Sequence, residues 1–324
     1  MKDLTTSTET RLTTNSADQQ YPSIYANRVV WQDNRYGHWD IFMRDLPTGT
    51  ETRLTTKTAT QINPAIYGDK VVWEDHRNGH WDIFMNDLTT NTETRLTTNS
   101  ADQQNPDIYG DKVVWQDYRY GNWDIFLMIM TTNTQTRITT ETSDQRDPAI
   151  YGNKVVFMDD RYGNFDIFMK DLVTNVETRL STNSADQWYP KIYGNRVVWE
   201  DNRYGNYDIF MYDLTTHTET RITTHTADQR LPAIYGNRVV WEDHRYGGAH
   251  TDIFMKDLIT NVETRLTTNS AIQARPDIYG DKVVWEDYRY GNYDIFMKDL
   301  TTNTETRLTT NSGNQWMPGF MEIR

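Results

Sequence analysis

Along the chain, short apolar runs alternate with polar turns rich in Gly and Asn, and the whole alternation returns at a fixed interval. One copy reads Lys70-Val71-Val72-Trp73-Glu74-Asp75-His76-Arg77-Asn78-Gly79-His80-Trp81-Asp82-Ile83-Phe84-Met85, two apolar stretches around a polar hairpin. Its Trp recurs at Trp31, Trp73, Trp115, Trp199, Trp241 and Trp285, with Phe157 in the fourth copy, at spacings by subtraction of 42, 42, 42, 42, 42 and 44. A period of that size marks a repeat architecture in which each unit buries its faces on its neighbours.

Within the second unit, turn signals separate four β-prone runs: Pro64-Ala65-Ile66-Tyr67, Lys70 to Glu74, Trp81 to Leu88 and Glu93 to Thr98. Between them lie Gly68-Asp69, Arg77-Asn78-Gly79 and Thr90-Asn91, where Gly and Asn supply the positive φ that tight hairpins need. Short loops force antiparallel neighbours, so each unit is a four-stranded meander. Helix-period patterns are absent. The middle strands carry large groups on both faces, with Val71, Trp73, Ile83 and Met85 set against Val72 and Phe84, so both faces need cover. Radial stacking supplies it, and the expected fold is an all-β, seven-bladed β-propeller. An open β-solenoid is the competing architecture, but a 42-residue coil calls for longer strands.

Full second and third strands occur seven times, while the Thr-Arg-rich fourth strand has an eighth copy at Glu9 to Thr14 and the first strand an eighth at Pro318 to Ile323. The expected arrangement is one domain over 1–324, its ring closed by overlapping terminal strands. An eighth blade built from both ends would lack its second strand and ranks second. Because Met1-Lys2-Asp3-Leu4 duplicates Met297-Lys298-Asp299-Leu300, the chain starts inside a unit. Either the gene begins at an internal Met or this is a piece of a longer protein, whose export signal would then lie elsewhere.

Charge changes the picture of partners. A net charge of -13 and a pI near 5.0 oppose the phosphate backbone, so nucleic acid is not an expected partner. No apolar run approaches the length of a membrane span. Zero Cys excludes a disulfide scaffold and Cys-ligated zinc while staying neutral on compartment. A monomer is expected.

The first-strand Pro, Asp33-Asn34-Arg35-Tyr36-Gly37, Trp39-Asp40-Ile41-Phe42-Met43-Arg44-Asp45-Leu46 and Thr52-Arg53-Leu54-Thr55-Thr56 together resemble the TolB-like, or PD40, propeller repeat. The resemblance covers nearly the whole chain and extends to arrays in large cell-surface proteins of methanogenic archaea. It implies a cell-surface or extracellular location. The family's activities range from binding scaffolds through peptidase-associated gating domains to a lyase with His-bound metal, and this chain lacks the lyase type's convergent His set.

Each copy carries an Asp-x-Arg hairpin, such as Asp33 and Arg35 or Asp75 and Arg77. A feature present in every blade reads as part of the blade, with Arg tied to a carboxylate such as Asp40 or Asp82. The repeated Gln19, Gln61, Gln103, Gln145, Gln187, Gln229, Gln273 and Gln315 are expected to bond exposed backbone between blades. His38, His76, His80, His217, His225, His244 and His250 fall at loop positions and read as polar surface. No catalytic residue, metal site or cofactor is assigned.

Differences between near-identical copies carry more information. The two residues before Pro read Gln20-Tyr21, Ile62-Asn63, Gln104-Asn105, Arg146-Asp147, Trp188-Tyr189, Arg230-Leu231, Ala274-Arg275 and Trp316-Met317. Placed in the loops joining blades, they ring the channel mouth beside the Asp-x-Arg hairpins. The candidate binding residues are therefore Gln20, Tyr21, Gln104, Arg146, Trp188, Tyr189, Arg230, Arg275 and Trp316. His250 joins them, because Gly247-Gly248-Ala249-His250-Thr251 holds two extra residues. The residue after Pro, from Ser23 to Asp277, is expected to line the channel, with Asp107 and Asp277 as possible cation ligands or solvated groups. In the third copy Leu127-Met128-Ile129-Met130 replaces the usual Met-Lys-Asp-Leu, which leaves an apolar patch at a sheet end and predicts either a partner surface on the opposite face or repaired frameshift-like drift. Met128 and Ile129 are then replaceable by Lys and Asp without loss of folding, whereas loss of folding would mark them as core. The functional expectation is a non-catalytic binding or scaffold module for a protein or envelope component. A lectin-like glycan binder is the alternative, and a metal-dependent lyase or hydrolase the third.

Overall fold

The computed structural model describes residues 17–247 and 250–307. Among them, 28 strands form seven four-stranded antiparallel sheets, each with its strands in chain order. The first blade comprises β1 (Gln19–Tyr25), β2 (Arg28–Asp33), β3 (Asp40–Asp45) and β4 (Glu51–Arg53). The second comprises β5 (Gln61–Tyr67), β6 (Lys70–Asp75), β7 (Asp82–Asp87) and β8 (Thr92–Arg95). The chain is thus an all-β propeller of seven blades. The surplus copies at Glu9 to Thr14 and Pro318 to Ile323 lie outside the described residues.

Local chemistry sets the hairpins. Gly68 takes φ +60° in the two-residue turn between β5 and β6, and Ala26 holds φ 49° at the same turn of the first blade. Only Gly takes that conformation without strain. In register, Gln61 opposes Asp75, and Asp75 opposes Asp82. The start of each first strand therefore shares one end of the ring with the Asp-x-Arg hairpin.

The first strand is longer than its apolar core suggests. Gln61 and Ile62 pair with Asp75 and Glu74, and a bulge then skips to Ala65 opposite Val72. The residues before Pro are thus strand residues and not loop residues, because the bulge absorbs the donor that Pro64 lacks.

The core lies between blades. Trp73 and Phe84, opposite one another in register, share one face with Ile66 and Val71 and pack on Val30 and Ile41 of the preceding blade. Val72, Ile83 and Met85 face the following blade, against Trp115, Phe126 and Met128. Phe84 therefore sides with Trp73, because partners in register point the same way. Phe157 fills the Trp place in the fourth blade and is also fully buried. Each such ring, out of water, contributes roughly 2–3 kcal/mol.

The third-blade departure is not a surface patch. Met128 is 5% exposed and packs between the second and third blades, with Met130 against the same cluster. Lys256 and Lys298 at the matching position instead reach back to the carbonyls of Ile222 and Leu266 in the preceding blade, at 3.0 and 3.3 Å. A thioether of similar length fills the same groove without a charge.

Candidate functional site at the channel mouth

The residue before each first-strand Pro adopts left-handed backbone: φ is 51° at Tyr21, 52° at Asn63 and Asn105, 49° at Asp147, 54° at Tyr189, 51° at Leu231 and 50° at Arg275. That conformation costs about 1–2 kcal/mol for a residue other than Gly, so something must hold it. The holder is the side chain that follows Trp (Phe157 in the fourth blade) in the second strand of the preceding blade. Gln32 accepts the Asn63 N–H at 3.0 Å, Glu74 that of Asn105 at 2.8 Å and Gln116 that of Asp147 at 3.0 Å. Glu200 accepts from Leu231 at 2.6 Å and Glu242 from Arg275 at 3.2 Å. In the fourth blade Met158 takes this place, and the Tyr189 N–H points at its sulfur at 3.3 Å.

These carboxylates are buried. Burial pushes Glu74 up to about 7, although Asn63 and the Asn105 backbone both donate to it, and pushes Glu200 up as well. The sequence reading missed this relay. Its signal was present in a polar residue repeated directly after a fully buried Trp.

Alternation along the bulge separates the two variable positions. Tyr21, Tyr189 and Arg275 line the channel, together with Asn63, Asn105, Asp147 and Leu231. Their neighbours one residue earlier lean toward the preceding blade. Trp188 sits on Phe165 at 4.8 Å, Arg230 covers the Tyr207 ring at 4.0 Å, and Arg146 lies 5.7 Å from the Trp123 ring while paired with Asp144. Gln104 opposes Gln116 in register, and Gln20 accepts from Gln32 at 3.4 Å. Arg230 and Arg275 also pair with the buried Glu200 and Glu286, at 3.3 and 3.1 Å. Tyr189 is 45% exposed and Tyr21 40%. His250 is exposed on the neighbouring hairpin, and Trp316 lies outside the described residues.

Below this rim the channel encloses about 740 Å³ and is bounded by the seven prolines Pro22, Pro64, Pro106, Pro148, Pro190, Pro232 and Pro276. Asp107 and Asp277 line it. Asp107 is engaged by backbone: one oxygen accepts from Ile108 and the other from Ile150 of the next blade, both at 2.9 Å. At the far end of the first strands, Tyr25, Tyr67, Tyr109, Tyr151, Tyr193, Tyr235 and Tyr279 run in a ladder with ring centroids 4.6 to 5.2 Å apart.

The Asp-x-Arg hairpin is structural, but its partner differs from the expected one. Arg35 bonds Asp33 itself at 2.6 Å and Glu51 of β4 at 2.6 Å, and its guanidinium covers Phe42 at 4.1 Å. Asp40 is paired instead with Arg53 at 2.8 Å. The repeated Gln uses its amide on the inter-blade connection, Gln61 donating to the Ala59 carbonyl at 2.6 Å. Its main chain makes the link across blades, with the Gln61 N–H donating to the Trp39 carbonyl at 2.8 Å. His38 and His80 stand 3.4 Å from Asp40 and Asp82, and His244 stands 3.2 Å from Glu242, which raises its pKa. Among the described residues, no group of three metal-ligating side chains converges.

No known family's sequence profile matches the chain, and no curated protein matches it in sequence. By structure it is similar to a puromycin-hydrolysing peptidase from Mycobacterium tuberculosis, with a TM-score of 0.70, 12% identity, and 90% of this chain and 53% of that one covered. It is similar also to the β-propeller domain of the Trilobed protease from Pyrococcus furiosus, with a TM-score of 0.69, 12% identity, and coverage of 91% and 96%. TolB from Acinetobacter baumannii gives a TM-score of 0.52 and 17% identity, with coverage of 90% and 78%. The chain spans about half the length of the first peptidase. At these identities the likeness is one of fold alone: the chain is a seven-bladed β-propeller, similar in fold to these structures.

Proposed function

We propose that the chain is a non-catalytic binding module whose partner, a protein or another envelope component, docks on the channel mouth. One observation carries this reading. The seven mouth positions share one strained backbone conformation, held in six of them by a side chain of the preceding blade, while their side chains differ in every neighbouring pair but one: Tyr, Asn, Asn, Asp, Tyr, Leu and Arg. A rigid frame with varied side chains is what a specific surface needs, because little ordering entropy is lost on docking. The resemblance of the repeat to cell-surface arrays supports a location at the cell surface.

A lectin-like use is the second reading. It is favoured by Trp188 and Phe165 in contact, by half-exposed Tyr189, and by Arg230 stacked on Tyr207. Flat aromatic faces beside fixed polar groups suit sugar rings.

The two readings separate experimentally. A photo-crosslinking residue at Tyr189, with the same residue at exposed Thr94 as control, is exposed to surface proteins of the producing cells, and the unlabelled chain is screened on a glycan array. A protein adduct specific to position 189 and competed by the unmodified chain supports the first reading. Saturable glycan binding lost in Tyr189→Ala supports the second. Silence in both, from folded protein, contradicts the mouth as a binding face.

A further inference from the structure

We propose that the channel wall between the fifth and sixth blades is a carboxylate-binding site, formed by the backbone N–H groups of Ile192 and Ile234 beside the Lys191 ammonium. The partner it fits is an acidic peptide. This deepens the reading of the mouth as a binding face and rests on it for the identity of the partner class, but the anion site stands on its own geometry.

Strand pairing sets where these N–H groups point. Tyr193 opposes Arg196 across a two-residue turn, so those two residues form a hydrogen-bonded pair, and the next pair, Ile192 and Val197, does not. The Ile192 N–H and C=O therefore point away from their own sheet. The same holds for Ile150 opposite Val155 and Ile234 opposite Val239. First strands are the edge strands of their sheets, so these groups face the channel side.

Asp107 shows what such N–H groups donate to. Its carboxylate bridges the Ile108 and Ile150 N–H groups of two adjacent blades, at 2.9 Å each. The positions equivalent to Asp107 in the next three blades are Ala149, Lys191 and Ala233. An Ala side chain has no acceptor, and no described side chain accepts from Ile192 or Ile234. The wall is open there, since Ala149, Lys191, Ile192, Ala233 and Ile234 all line the channel. Lys191, next to Ile192 in the chain, lines the channel and brings its cation to this wall, where it also favours the carboxylates of Asp107 and Asp147 on the two preceding blades. Two N–H donors at the positions that one carboxylate bridges in the third and fourth blades, in a wall that also holds a lysine, favour an ionised acceptor over a neutral one. A peptide suits the site because the same edge offers the Ile carbonyls to its N–H groups.

The test uses the full chain with 15N-labelled isoleucine, titrated with acetate and, at matched ionic strength, with acetamide. Acetate is expected to shift the Ile192 and Ile234 amides saturably, and acetamide is not. Ile150 stays still, because Asp107 already occupies it. Lys191→Gln weakens the acetate response about tenfold, and Asp107→Ala adds Ile150 to the responders. A capped peptide containing Glu displaces acetate, while its Gln counterpart does not. Equal response to acetamide, shifts at Ile192 and Ile234 no larger than at other isoleucines, or a silent Ile150 in Asp107→Ala overturns the proposal. A chain that binds acetate at these amides but captures no partner at Tyr189 keeps the anion site and removes the docking reading.

Discussion

The Glu74 carboxylate accepts the Asn63 side-chain amide of its own blade and the Asn105 backbone N–H of the next, each at 2.8 Å. It is 2% exposed, and burial lifts its pKa from the ordinary 4.5 to about 7. Between those values the folded chain keeps a proton that the unfolded chain has released. Stability is therefore expected to fall as pH rises from about 4.5 to about 7, by up to about 3 kcal/mol from this group. Glu74→Gln, which installs the residue found at Gln32 and Gln116, should flatten that slope and raise the unfolding midpoint at pH 8. Thermal or urea unfolding at pH 5 and pH 8 checks it; a variant that is less stable at both would show that the charged form is the one the fold needs.

Met128 tests how the blades are sealed. Its removal in Met128→Ala is expected to cost about 2–4 kcal/mol through the cavity left between the second and third blades. Met128→Lys should cost less than about 1.5 kcal/mol, because Lys256 and Lys298 show that an ammonium in this groove finds a carbonyl of the preceding blade. Denaturant midpoints of the two variants give the comparison.

Ala26 is strained where all six other blades carry Gly. With φ at 49° in the turn after β1, Ala26→Gly is expected to stabilise the chain by about 1 kcal/mol. The opposite change at the second-blade turn, Gly68→Ala, should destabilise by a similar amount, since open space around a Cβ there leaves only the backbone conformation to resist it. Parallel unfolding curves settle the sign.

Trp188 and Tyr189 should separate stability from binding. Trp188 rests on Phe165 and on the cluster around Met158 and Trp199, so Trp188→Ala is expected to lower stability by about 1–3 kcal/mol. Tyr189 is 45% exposed, and Tyr189→Ala should leave the unfolding midpoint within about 0.5 kcal/mol.

The blade count, the strand order and the placing of the variable residues at one end were all legible, because period, turn residues and apolar alternation point the same way. Less legible was what lies one residue from each signal. Which of Tyr189 and Trp188 enters the channel depends on a bulge, and a bulge inverts the alternation that a sequence displays. The partner of Arg35 was misread for a related reason: Arg35 folds back on Asp33 and reaches Glu51, while pairing β3 with β4 sets Arg53 across from Phe42 and gives it Asp40. Met128 looked like an exposed departure because its neighbours in other copies are charged. Only the packing of adjacent blades shows that the Lys side chains there lie along the same groove.

The central claim is that the mouth binds through the side chains that differ between blades. Crosslinking from position 189 against the surface proteins of the producing cells, competed by wild-type chain and by a chain carrying Tyr189→Ala and Arg275→Ala, tests it most directly. The account predicts one saturable adduct that wild type removes and the double variant does not. An adduct equally competed by both chains, or equally formed from position 94, would contradict it.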